Sequence, residues 1–447
     1  MDTPLNDAKA IWQAGVDAVM SDRLVTDHVQ VDGKWLLLGD EPPIDLESIR
    51  RLFVVGAGKA GLGMARGLES ALGDWAQAKE LNGWVNVPAD CVQRLKHITL
   101  HPARPAGLNE PTEEGVRGTE MILRMLSSLC EEQDLCFCVI SGGGSALLPA
   151  PAKGITLEQK QWITQHLSGA GANIQQLNTV RKQLSQVKGG RLAAACKAGR
   201  LATLIISDVI GDPLDVIASG PTVPDTATPQ DAIAVLQEFD AVGAGMPPDI
   251  LEFLHSADIN PPTSTCEVTT QVIGNNASAV DAAGVEAEKR GFSHAMVATN
   301  KLEGAAEDVG LHLLKMARQM AADPDGPDCL ITGGEPVVRL ADAAIRGKGG
   351  RNQQLVLAAL NEAARAGIDL SRITILAGGT DGEDGPTDAA GAWIDVATLE
   401  LTRNKELNAS DYLARNDAYN FFEQTETLLK TGATNTNVCD LRVVVIK

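Results

Sequence analysis

Five times along this chain a short apolar run stops on a turn rich in glycine or aspartate, and a helix-like segment follows. Leu52-Phe53-Val54-Val55 leads into Gly56-Ala57-Gly58-Lys59-Ala60-Gly61, and Cys136 to Ile140 leads into Ser141-Gly142-Gly143-Gly144-Ser145. Leu201 to Ile206 precedes Ser207-Asp208-Val209-Ile210-Gly211-Asp212-Pro213. Further on, Cys329-Leu330-Ile331 precedes Thr332-Gly333-Gly334-Glu335-Pro336, and Ile373 to Leu376 precedes Ala377-Gly378-Gly379-Thr380-Asp381-Gly382. Uninterrupted apolar strands of this kind suit a parallel sheet covered by helices on both faces. Ligands of such sheets bind beyond the carboxyl ends of the strands, where these turns lie. The expected fold class is α/β.

At 447 residues the chain exceeds what one hydrophobic core usually supports, so two domains are expected. Gly243, Gly245, Pro247, Pro248, Pro261 and Pro262 cluster where apolar periodicity pauses, and a new α/β run begins at Gln271. The expected division is 1–245 and 246–447.

The formal net charge of -20 argues against nucleic acid or an anionic membrane as partner, because phosphate backbones are bound by excess Lys and Arg. Any phosphate site must be local, built from a few cations, backbone N–H groups and a metal. Met1 to Asp27 lacks the basic-then-apolar pattern of a signal peptide; Ile11, Ala14, Val16, Ala18 and Val19 read as one helix face. The longest apolar stretches fall far short of the ~20 residues of a spanning helix. Eight cysteines without a Cys-x-x-Cys pair read as reduced thiols, so a cytoplasmic protein is expected.

Gly56, Gly58 and Gly61 match the dinucleotide fingerprint formally, but Gly83 to Pro88 ends without the acid that would bind a ribose. Lys59 says more: it places a cation beside a helix N-terminus that already favours anions. Ser141 to Ser145 is a glycine turn flanked by hydroxyls, a plausible nest for phosphate or carboxylate. Arg181, Lys182, Lys188 and Arg191 fall in a short helical stretch, as an anion-attracting field or as surface ion pairs. Asp208 and Asp212 follow a buried strand, where they can hold a hard cation such as magnesium with substrate phosphates; an N-cap role is the alternative for Asp208. Arg351 ends a glycine-rich, cationic turn at the start of a helix, where a guanidinium can clamp phosphate or carboxylate with two prongs. Gly379 to Asp388 is the densest polar loop, without EF-hand spacing. Neither a Walker A sequence nor the protein-kinase motifs occur, and the seven histidines show no metal-ligand spacing.

Ordered along the chain, these segments resemble the class II glycerate 2-kinases. The matches include Gly56 to Gly61, Ser141 to Leu147, Val180 to Lys182, Lys188 to Gly190, Ser207 to Asp212, Ala218 to Asp225, Gly349 to Gln353, Thr380 to Gly382, Asp384 to Asp388 and Thr434 to Val438. The resemblance implies a Rossmann-like parallel sheet in the N-terminal domain. It implies a mixed sheet in the C-terminal domain, which carries the region called MOFRL (about 328–442), and an active-site cleft between the two. It implies ATP- and Mg²⁺-dependent phosphorylation of D-glycerate at its 2-hydroxyl, giving 2-phosphoglycerate and ADP. The family's catalytic positions fall on Lys59, Asp208 and Arg351, all expected in loops whose substitution leaves folding intact. Binding positions fall on Gly56, Gly58, Ser141, Gly142, Gly143, Gly144, Ser145, Arg181, Lys188, Gly333, Glu335, Asn352, Thr380 and Asp381; Asp208 and Asp212 are the metal candidates. Gln183, Gln354, Ala433 and Asn435 depart from the family pattern. Partners are small molecules, and a homo-oligomer is left open. Two other readings stand beside this one: an NAD(P)-dependent hydroxypyruvate reductase and a non-catalytic sensor of a phosphorylated metabolite.

Overall fold

The computed structural model describes residues 3–108, 110–257, 263–299, 301 and 303–447. They form two compact units, one running Ser21–Ile273 and the other joining Met1–Met20 to Gly274–Lys447.

The Ser21–Ile273 unit is built on six strands: β1 (Leu52–Ala57), β2 (Asn82–Pro88), β3 (Ile98–Arg104), β4 (Leu135–Ile140), β5 (Arg200–Ile206) and β6 (Glu267–Gly274). Their order is β3-β2-β1-β4-β5-β6, and the pairings from β3 through β5 are parallel. Every residue of β1 and β4 is buried, as expected of strands covered on both faces. The chain winds outward from β1 through β2 to β3, then returns to β1's other side with β4. This reversal makes the gap between the ends of β1 and β4 the topological switch point, where ligands of doubly wound sheets bind. Helices α2 (Gly61–Leu72), α3 (Leu157–Gly169) and α4 (Ile174–Gln183) belong to this unit. The last two form a lobe whose core joins Ile163, Leu167, Val180 and Leu184 to Ala232, Leu236, Ile250 and Leu254. A three-stranded antiparallel sheet over Val29–Asp32, Trp35–Leu38 and Ile44–Asp45 completes the unit.

The second unit contains a mixed sheet of β7 (His294–Val297), β8 (Cys329–Gly334), β9 (Ile373–Gly379), β10 (Gly391–Ile394), β11 (Leu428–Leu429) and β12 (Asp440–Ile446), in the order β7-β8-β12-β9-β10-β11. Only β7 and β8 pair in parallel; the final strand enters the centre antiparallel to both neighbours. Helices α1 (Pro4–Ala18), α5 (Asn276–Lys289) and α6 (Arg351–Ala366) belong here.

The expected α/β class, with one parallel and one mixed sheet, is borne out, but the division at 245/246 is corrected in two ways. The Pro247-Pro248 stretch opens a helix, Pro248–Ser256, whose Ile250 and Leu254 enter the lobe core, and β6 lies beside β5, so this segment is no linker. Pro261 and Pro262 lie outside the described residues. The other correction concerns α1, which packs Ile11, Trp12 and Val16 against Val280, Ala283, Val443 and Val445. The Trp12 indole N–H donates to the Leu441 carbonyl at 3.1 Å, tying the first helix to the last strand. Among the described residues no helix is long and apolar enough to cross a membrane.

Candidate active site

The turns that follow β1 and β4 are stitched together at the switch point. The Ser141 N–H donates to the Ala57 carbonyl at 3.2 Å, and the Lys59 N–H to the Gly142 carbonyl at 2.8 Å. Ser141 Oγ accepts from the Ala60 N–H, at the N-cap of α2, at 3.0 Å. The turns approach so closely that a Cβ on Gly58 would overlap Ser141 Oγ, which is why glycine stands there. Gly143 takes the left-handed conformation (φ 75°), and the aliphatic stem of Lys59 and the Arg104 guanidinium lie beside it. Gly56 serves the close approach of β1 to Val139 of β4 and Gly58 the fit of one turn against the other, while Ser141, Gly143, Gly144 and Ser145 line a cavity of about 420 Å³.

Most of the remaining wall comes from the helical lobe and the loop after β5: Lys160, Asn178, Arg181, Lys188, Asp208 and Ser219. Ser145 Oγ accepts from Arg181 Nη2 and from Lys188 Nζ, each at 2.6 Å. Lys188 is held in place because Gly189 and Gly190 donate to the carbonyls of Ser219 and Gly220 at 3.0 and 2.8 Å. That facing loop is itself strained: Ala218 and Ser219 are non-glycine residues at φ 50° and 62°, a feature concentrated at functional sites. The four cations from Arg181 to Arg191 are thus not a surface ion-pair cluster. Lys182 forms a buried pair with Asp225 at 3.2 Å, and Arg191 donates to the Lys182 carbonyl at 2.8 Å, while Arg181 and Lys188 face the cavity.

Burial dominates the electrostatics. It pushes Lys160 down to about 7, with help from Arg181 and Arg191. It also lowers Arg181, and it holds Lys188 well below the ordinary lysine value, aided by Arg181, Lys160 and Lys182. Lys160 is the residue that reading the sequence missed. Its signal was present: Leu157, Lys160, Ile163 and Leu167 are the buried positions of α3, so this lysine occupies the apolar face. Asn178 and Ser219 were missed too, and Arg104, buried at the end of β3, had no local signature at all. Asp208 lines the cavity; Asp212 lies in the following turn at φ 52° and is not part of the wall. No group of three or more His, Cys, Asp or Glu suited to a metal exists among the described residues.

The second unit holds the other expected residues. Arg351 is the first residue of α6, not a loop residue, and its guanidinium is engaged: Nε and Nη2 donate to Asp440 at 2.8 and 3.0 Å, Nη1 to Glu335 at 2.8 Å. Burial works against the charged guanidinium, but the Asp440, Glu335 and Asp384 carboxylates outweigh it and hold its pKa above the ordinary arginine value. The Asp440 side chain is fully buried, so the expectation that Arg351 can be replaced without cost to folding does not survive. Asp384 accepts from the N–H groups of Asn352 and Gln353 at 3.0 and 2.8 Å, capping α6. Burial pushes its carboxyl up to about 7 against those donors. Asn352 is itself buried against Asp384, and the Gly333 carbonyl accepts from Thr299 Oγ1 at 3.0 Å. Thr380 Oγ1 donates to the Cys439 carbonyl at 2.7 Å and accepts from the Val438 N–H, which ties the polar loop to the start of β12; Asp381 Oδ1 accepts from the Glu383 N–H at 3.1 Å. A second arginine–carboxylate pair went unread in the sequence: buried Arg442 grips Glu303 with both Nη atoms, at 2.8 and 2.6 Å.

A family model described as a domain of unknown function, DUF4147, matches residues 7–255, and the MOFRL family model matches residues 328–440. A rat protein named glycerate kinase is 35% identical, with 98% of this chain and 92% of the relative covered. A Thermotoga maritima protein named D-glycerate 2-kinase is 34% identical, covering 98% of this chain and 97% of the relative. The chain belongs to the glycerate kinase family. The crystal structure of a glycerate kinase from Thermotoga maritima superposes with a TM-score of 0.83 at 32% identity, over 99% of each chain. The resemblance drawn from the motifs is therefore borne out, and membership in the glycerate kinase family extends over both units.

Proposed function

We propose that the protein transfers a phosphoryl group from ATP to the 2-hydroxyl of D-glycerate, giving 2-phosphoglycerate and ADP. The observation that carries the reading is the cavity at the switch point, walled by buried cations, in a chain whose full-length relatives bear glycerate kinase names. Phosphoryl transfer asks little covalent chemistry of a protein; it asks for positioning and for positive charge where the phosphoryl oxygens develop negative charge. Lys59, beside Gly143 at the mouth of α2, and the Arg181 and Lys188 groups converging on Ser145 supply that charge in the first unit. Arg351 is kept as the catalytic residue of the second unit.

Asp208 fits a Mg²⁺ role, because Mg²⁺ is typically held by one or two carboxylates with substrate phosphates completing its shell. When bound, the ion would neutralise phosphate charge; Asp212 is the second candidate ligand. The reductase reading is weakened by a specific contact. The Ala60 N–H at the N-cap of α2, a donor that a dinucleotide pyrophosphate would use, is already taken by Ser141 Oγ.

The test is a coupled assay. Purified protein with D-glycerate, ATP and Mg²⁺ should form ADP, and enolase added without a mutase should carry the product onward. Oxidation of NADH with hydroxypyruvate and no ADP formation would sink the kinase reading. A product that enolase cannot use would place the phosphate on the 3-hydroxyl.

A further inference from the structure

Three cations line the cavity of the first unit, and none of them forms an ion pair among the described residues. Arg181 and Lys188 rest on neutral oxygens: Ser145 Oγ accepts from both, and Lys188 Nζ also reaches the Ser145 carbonyl at 3.2 Å and the Ala218 carbonyl and Ser219 Oγ at 3.4 Å. Lys160 Nζ is buried and has no hydrogen-bond partner among the described residues; nor has Asn178 Nδ2 in the same wall. Buried charges without partners are expensive in folding free energy, and buried orphan donors call for an explanation. Two unpartnered donors and two cations held only by neutral oxygens, all on residues that line one cavity, are explained together by an anion that enters it.

We propose that this cavity receives the phosphate groups of the nucleotide, with Lys160 and Asn178 as binding residues, and that the carboxylate of the hydroxy acid binds elsewhere. The assignment rests on the kinase reading and adds to it a location for one substrate. Charge and size favour the phosphates. A three-carbon acid brings one negative charge and would fill a small part of about 420 Å³, leaving most of the cationic wall unpaired. A triphosphate brings several charges and many strong acceptor oxygens, enough to meet Lys160, Arg181, Lys188 and the Asn178 amide at once. Asp208 in the same wall is suitably placed for an ion that travels with such phosphates. Glu110, the other acid of the wall, is exposed and compensates little.

Calorimetric titration of the full-length protein with inorganic triphosphate, and separately with D-glycerate, both with Mg²⁺ present, tests the assignment without relying on turnover. The Lys160→Met and Asn178→Ala variants should each bind triphosphate more weakly, Lys160→Met by roughly 10-fold or more, the scale of a charge-assisted hydrogen bond. Glycerate affinity should be unchanged in both. In steady state the same variants should raise KM for ATP and leave KM for glycerate alone. Loss of glycerate binding with triphosphate binding intact would overturn the proposal, as would wild-type affinities for both ligands in Lys160→Met. A wild-type protein that binds triphosphate as described yet phosphorylates no glycerate would refute the activity while leaving the phosphate site standing.

Discussion

If Lys160 is a buried cation awaiting an anion, the ligand-free protein should be less stable for carrying it, and the penalty should depend on pH in a defined direction. Its folded-state pKa is about 7 against an ordinary 10.5, lowered first by burial and then by Arg181 and Arg191. Between these two values the unfolded chain holds a proton that the native protein does not, so native stability rises with pH across that window. Below about pH 7 both states carry the proton and the whole penalty is present. At about 1.4 kcal/mol per pH unit, the gap corresponds to an upper figure of about 4–5 kcal/mol. The charged groups around Lys160 include Glu110, Arg181, Lys188, Arg191 and Asp208, and the Lys188 pKa is lowered for the same reason. The assay must therefore be a difference: urea midpoints of wild type and Lys160→Met at pH 6.5, 8 and 9.5 and constant ionic strength. Lys160→Met should be the more stable protein at pH 6.5, and its advantage should shrink as pH rises. Saturating triphosphate should shrink it too, because a bound polyanion stabilises the ammonium form. A variant less stable than wild type at pH 6.5, or a difference that does not move with pH, would refute the account of Lys160 as an uncompensated charge.

Four further outcomes follow from the geometry. Lys59→Met should lower kcat by roughly 10²-fold, the scale of a lost transition-state electrostatic contact, with the unfolding midpoint unmoved, since Lys59 is only half-buried in a turn; a near-normal kcat removes it from the catalytic set. Arg351→Met should lower kcat similarly and also destabilise by about 3 kcal/mol, because the fully buried Asp440 loses its partner; an unchanged urea midpoint would contradict the pairing. Asp208→Asn should weaken apparent Mg²⁺ affinity without changing stability, read from ADP formation against Mg²⁺ concentration. Trp12→Ala should cost about 3–5 kcal/mol and release amides of β12 to hydrogen exchange while β1 and β4 stay protected; the reverse pattern would return α1 to the first unit.

The parts of the fold that local pattern encodes were legible. β1, β4 and β5 were marked as strands by uninterrupted apolar runs, and the turns after them as ligand loops by glycine, serine and aspartate. What local pattern cannot encode is which segments come together over long separations. The apolar face of α1 announced a helix but not its partner, which is a strand more than four hundred positions away. Prolines at 247 and 248 suggested a linker because proline stops periodic structure, yet Pro248 stands at the first position of a helix, where a missing N–H costs nothing.

The same distinction separates the candidate residues. Ser145, Arg181 and Lys188 were found because hydroxyls and cations beside glycines are conspicuous, and the structure brings the three to one oxygen. By its immediate neighbours, Glu158, Gln159 and Gln161, Lys160 looks like part of the solvated side of a helix. Position decides otherwise: three residues after Leu157 and three before Ile163, it lies on the buried face, and a long cationic side chain there must either reach water or meet an anion. Its Nζ does neither within the protein, which is the physical content of its lowered pKa. Arg351 illustrates the opposite error. Its glycine-rich approach suggests an available clamp, whereas Asp440 and Glu335 already engage Nε, Nη1 and Nη2 with one bond each. An arginine in that state keeps one N–H on each Nη for a phosphoryl group and gains a further donor only by releasing a carboxylate; Glu335, the more exposed of the two, is the one that can leave at lower cost.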